Sequence, residues 1–137
     1  MAKDTSSFNH EKQIMGQAQK FINAWFNKAI TEQSPELGDR FLLPGGKTLD
    51  KQAVVARIKR IFNASEQFIG GRFDVIDASF EILKDGKGLG SAEGAVGYRA
   101  TYKNNTNEIV SGPFKLYFAL EKGTWKIVHI VFPSFVY

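Results

Sequence analysis

Apolar residues recur along this chain in two periods, and the change from one to the other divides it. Between residues 8 and 30, Ile14, Ala18, Phe21, Ile22, Trp25, Phe26 and Ala29 fall at steps of three and four, with Gln13, Gln17, Lys20 and Asn23 opposite them. That spacing draws one apolar stripe along a helix. Ser34-Pro35-Glu36 reads as the start of a second, short helix: a capping Ser, a Pro in the first turn and an acid near the positive end of the dipole. Pro44-Gly45-Gly46 ends it. Thr48 is expected to cap a third helix reaching about residue 62, with Val54, Val55, Ile58, Ile61 and Phe62 on its buried face.

Beyond Gly70-Gly71 the period falls to two. A strand over 72–83 sets Ile76, Ala78, Phe80 and Ile82 on one side and Asp77, Ser79 and Glu81 on the other. After an Asp85-Gly86 turn, a strand over 90–102 sets Ala92, Gly94, Val96, Tyr98, Ala100 and Tyr102 against Glu93, Arg99 and Thr101. An Asn-rich loop at 103–108 leads to two final alternating runs, 112–121 and 124–134, joined by Lys122-Gly123. Regular pairing across that turn sets Leu120 opposite Trp125, Phe118 opposite Ile127, Leu116 opposite His129 and Phe114 opposite Val131. One face of the hairpin is then apolar except for a single imidazole. The other face, with Val128, Ile130, Phe132 and Tyr117, is largely apolar as well.

Helices followed by a meander predict an α+β domain: three N-terminal helices packed on a strongly curved four-stranded antiparallel sheet, a cone-shaped roll. The strands run to about ten residues where five or six are usual, and long strands coil. The 137 residues read as one domain, 1–137, with globular values of 43% hydrophobic and 23% charged residues. The chain has no cysteine, which excludes disulfides, thiol catalysis and Cys-ligated zinc. Its two histidines, His10 and His129, lie at opposite ends of the sequence, so neither a metal nor a cofactor is expected. With neither a secretory signal pattern nor an apolar run of membrane length, the expected compartment is the cytoplasm. A net charge of +4 is densest at Lys47, Lys51, Arg57, Lys59 and Arg60, without interleaved aromatics, and reads as a solvated helix face rather than a nucleic-acid footprint.

The ending Gly123-Thr124-Trp125-Lys126-Ile127-Val128-His129, placed after this order of helices and strands, resembles the nuclear transport factor 2-like superfamily, the polyketide-cyclase-like or cystatin-like α+β roll. Many members end in a Gly-x-Trp-Lys-Ile-x-His strand with a second His two residues on, then a Ser. Here Val131 stands at the second His position, and Asp39 supplies one acid where relatives often carry a pair. The superfamily includes isomerases, dehydratases, cyclases, transport factors and assembly domains, so the resemblance implies a fold and not a role. It also implies dimerisation through the sheet, matching a second apolar face for which no helix remains as cover.

Parity on the strands then defines an inner face with Phe114, Leu116, Phe118, Leu120, Trp125, Ile127, Val131, Ile76, Phe80 and Val96, tipped by His129, Tyr98 and Tyr102. With the helical Phe21 and Trp25 against it, this is an aromatic cavity with a few polar groups, the form of a small-molecule site. The expected ligand-binding residues are Trp25, Phe21, Tyr98, Tyr102, Phe114, Trp125 and His129. The expected catalytic pair is His129 as general base and Tyr98 polarising an oxygen. Strand acids other than Asp74 fall outside the cavity by parity. The readings are a small-ligand-binding or interaction domain with an apolar aromatic cavity, and alternatively a lyase or isomerase acting on a hydrophobic carbonyl compound through His129. A homodimer is expected through Val128, Ile130, Phe132 and Tyr117, with the C-terminal residues Ser134 to Tyr137 folding back as the competing cover.

Overall fold

The computed structural model describes residues 2–137, with side chains from residue 8 onward. The chain runs α1 (Ala2–Phe26), β1 (Arg40–Leu42), β2 (Thr48–Asp50), α2 (Lys51–Ala64), β3 (Gln67–Ile82), β4 (Gly88–Thr101), β5 (Asn107–Glu121) and β6 (Thr124–Val131). β3 to β6 form one antiparallel meander in sequence order, and β1 and β2 pair in a small separate hairpin. α1 lies across the sheet on β3, β4 and β6. The α+β roll is as expected, but it has two helices among the described residues, not three.

α1 carries the predicted stripe: Ile14, Ala18, Phe21, Ile22 and Trp25 are fully buried. It ends four residues earlier than the pattern suggested. Lys28 takes a left-handed φ of 53°, with Ala29 N–H donating to Ala24 O at 2.7 Å and Lys28 N–H to Trp25 O at 3.0 Å. These paired bonds are a Schellman cap, here with Lys where Gly is usual. The Lys28 ammonium in turn donates to Phe62 O at 2.6 Å and Ser65 O at 2.7 Å. It therefore ties the end of α1 to the end of α2. Burial pushes the Lys28 pKa down, with Glu66 partly opposing.

The second helix is absent because a strand edge competes for its backbone. Ile127 N–H donates to Glu36 O at 2.8 Å, and Gly38 N–H to Ile127 O at 2.8 Å. Leu37 thereby bridges Ile127 in parallel along the free edge of β6. Gly38 permits the approach, since a Cβ there would sit 3.1 Å from Ile127 O and 3.2 Å from Val128 Cγ1. The third helix exists, but its cap is Asp50, whose carboxylate accepts from Ala53 N–H at 2.8 Å, while Thr48 lies in β2.

Two bulges overturn part of the parity. In β3 the register shifts between Val75 and Asp77, so Ile76 is an extra residue and turns outward at 74% exposure while Val75 and Ala78 pack inward. In β6 Phe118 still faces Ile127, but Tyr117 faces His129 and Leu116 faces Ile130. Val128 is the extra residue there. Every side chain after it changes face. Ile130, at 2% exposure, and Phe132, at 4%, enter the core; His129 and Val131, at 46%, turn outward. Leu116 does not oppose His129, and Phe114 packs against Phe132 rather than Val131. Val128 itself is 5% exposed, beside Gly38. Three of the four residues expected to hold a homodimer are thus buried by the chain's own packing, and Tyr117 alone stays on the surface.

Candidate functional site

Inside the roll the expected cavity is filled. Phe21, Trp25, Phe114 and Trp125 are fully or almost fully buried, as is Tyr98. Trp25 is ringed by Phe62 at 5.2 Å, Phe132 at 4.6 Å, and Phe68 and Phe135 at 6.4 Å between centroids. Tyr98 packs on Phe68 at 4.6 Å. Among the described residues the buried Trp25 indole N–H has no hydrogen-bond partner. Burial pushes the Tyr98 phenol pKa up, and the nearby Trp25 N–H pulls it partly back. Tyr102 lies at the rim, donating to Glu108 Oε1 at 3.0 Å, which raises its phenol pKa.

At the other end of α1 the indole of Trp125 donates to His10 Nδ1 at 3.1 Å, and the His10 ring lies 5.1 Å from Phe80. His10 is therefore part of the sheet–helix packing despite its place near the chain terminus. The distance in sequence hid this contact.

His129 does not meet Tyr98: the two occupy opposite faces of the sheet. Its Nδ1 lies 2.6 Å from Leu42 O. A carbonyl only accepts, so Nδ1 donates, and in the matching neutral tautomer Nε2 is the acceptor of the ring. The ring stacks on Tyr137 at 5.2 Å and meets Tyr117 edge-on at 5.5 Å. It lines a groove of about 370 Å³ where the β1–β2 hairpin overhangs the sheet, with Leu42, Pro44, Leu89, Tyr117 and Val128 around it. Sequence reasoning missed this hairpin, although a Pro-Gly-Gly turn between Phe41-Leu42-Leu43 and Leu49 signals one.

A second, wider trough of about 800 Å³ crosses the same outer face, with Gly97 and Ser111 in it and Ile69, Arg99 and Ile109 along one side. Asp74 lies at this trough. Among the described residues no three His, Asp or Glu side chains come together in a way that could hold a metal ion. No helix of the described residues is long and apolar enough to cross a membrane.

No protein-family model and no curated protein matches the sequence. Solved structures do match the fold. A hexachlorocyclohexane dehydrochlorinase, LinA type 2, superposes with a TM-score of 0.64 at 11% identity, over 98% of this chain and 90% of its own. A nuclear transport factor 2-like superfamily protein from Salmonella enterica gives 0.61 at 12% identity, over 93% of this chain and 91% of its own. A cystatin-like-fold protein from Caulobacter vibrioides gives 0.56 at 11%, over 92% and 89%. At such identities the likeness is one of fold. The chain has the nuclear transport factor 2-like, cystatin-like α+β roll.

Proposed function

We propose that this is a small-ligand-binding or interaction domain that binds on the outer face of its sheet, with the interior of the roll serving as filled core. The observation that carries this reading is the packing of Trp25, whose fully buried ring has five other aromatic rings around it where a ligand of the expected cavity would sit. The two grooves on the outer face support it, because exposed apolar side chains line both: Leu42, Leu89 and Tyr117 in one, Ile69 and Ile109 in the other. The test is a titration with 8-anilino-1-naphthalenesulfonate, a general probe of apolar sites, followed by amide and indole NMR shifts. Outer-face residues such as Tyr117, Gly97 or Arg99 are expected to move while the Trp25 indole N–H stays in place. Movement of that unpartnered N–H with an unmoved outer face would overturn the reading.

A second reading is a lyase or isomerase acting on a hydrophobic carbonyl compound, with His129 as general base. The hydrogen bond to Leu42 O favours it, because it leaves Nε2 as the ring nitrogen that can accept a proton from a substrate. The similar folds include a dehydrochlorinase and a putative dehydratase. This reading requires that proton exchange at the α-carbon of 2-tetralone in deuterium oxide be accelerated by the protein and not by His129→Phe.

A further inference from the structure

We infer that the groove beneath the β1–β2 hairpin is a binding site for a small neutral hydrophobic molecule carrying one hydroxyl, a phenol-class compound, recognised by His129 Nε2. The inference rests on the outer-face reading above and names the site and the ligand chemistry.

The floor is well packed: Phe118 and Val128 are buried. The walls are open apolar side chains, Leu42 and Leu89, each about half exposed. Near 370 Å³ the groove lies at the small end of ligand sites, which combine apolar walls with a few placed polar groups. Here that polar group is one imidazole, held in one tautomer by Leu42 O and in one orientation between Tyr137 and Tyr117. An acceptor of fixed position in an apolar surround selects a ligand that brings a donor.

Charge decides against an anion. The lysines on the adjoining rows of this face are Lys115 and Lys126. Lys115 pairs with Glu93 at 3.7 Å and stands 5.1 Å over the Tyr117 ring. Lys126 donates to Pro35 O. Both cations already have partners, so a carboxylate would gain little that a hydroxyl does not.

The probes are 2-naphthol and 2-methoxynaphthalene, of similar shape, of which only the first can donate. Affinity is read by fluorescence, and location by NMR shifts of the His129 and Tyr117 rings. 2-Naphthol is expected to shift both rings and to bind about 3- to 10-fold more tightly than its methyl ether, the worth of one neutral hydrogen bond. His129→Phe should erase that difference. Leu89→Asp, at an exposed position that folding tolerates, should weaken both probes. Equal affinities, or no saturable binding, would overturn the site. Shifts confined to Gly97, Arg99 and Ser111 would overturn the site while leaving the outer-face reading standing, whereas shifts of Trp25 and Tyr98 alone would overturn both. A dimer by sedimentation that Leu89→Asp dissociates would make the groove an interface between copies and likewise overturn the ligand.

Discussion

Inserting one alanine directly after Val128 tests the feature on which the placement of His129 depends. With Val128 still the one extra residue, the alanine takes the place opposite Tyr117, and His129 moves to the inner face opposite Leu116. Ile130 and Phe132, at 2% and 4% exposure, would turn to solvent. Each forfeits about 1.5–3 kcal/mol of transfer free energy. An imidazole taken off Leu42 O into an aromatic interior adds about 1–3 kcal/mol more if it finds no partner. Val131 moving inward returns only part of this, since it is already about half buried. Against a typical total of about 5–15 kcal/mol, the insertion should remove half or more of the stability. Val128→Ala is the control, because it removes the side chain and keeps the bulge; losing two methyl-sized groups costs about 1.5 kcal/mol. Urea unfolding of the two variants gives both numbers. If the insertion costs no more than Val128→Ala, with the His129 ring signals unchanged, the position of the bulge does not set the face of β6 and the account of His129 is refuted.

The free edge of β6 offers a second test. Ile130 N–H donates to the Tyr137 hydroxyl at 2.6 Å, and burial pushes that phenol up to about 12. Tyr137→Phe leaves a buried amide without its partner and should cost about 1–3 kcal/mol by thermal melting. Because the folded pKa is raised, the phenol's contribution is complete below about pH 10, the unfolded value, and is lost as pH climbs through about 12; spectrophotometric titration near 295 nm should show Tyr98, Tyr102 and Tyr137 all titrating late, with the amplitude of that late phase reduced by one tyrosine in Tyr137→Phe, and an unchanged late phase would refute the assignment. At the β3 bulge, a Cβ on Gly94 would run into Asp74 O, so Gly94→Ala should unfold the domain or lower its melting temperature by more than any other Gly→Ala change in β4; a melt within a degree or two of wild type would rule out that close approach.

Local chemistry alone determined much of the fold. The 3.6-residue stripe through Ile14, Ala18, Phe21, Ile22 and Trp25 gave the face that α1 buries, because helical geometry leaves no other way to gather those side chains. The period-two runs placed Ala92, Val96, Tyr98 and Ala100 inside, and the hairpin up to Ile127 in register. What failed was phase. In Ile127-Val128-His129-Ile130-Val131 both alternating sets are apolar, so nothing in the pattern records where one residue is skipped; Val75-Ile76 poses the same ambiguity. An apparent excess of apolar surface on both sides of the last strand was the one trace of the slip. Only tertiary packing resolves it: bulging Val128 buries Ile130 and Phe132 against α1's aromatic face, and leaves His129 to the Leu42 carbonyl. The short second helix was lost for a related reason. A capping signal is worth about 1 kcal/mol, whereas the open edge of β6 offers residues 36–38 two backbone hydrogen bonds and closes an otherwise unpaired strand. Pattern fixed which residues are apolar and at what period; which side of the sheet they face, and hence which groups can form a site, was decided by contacts distant in sequence.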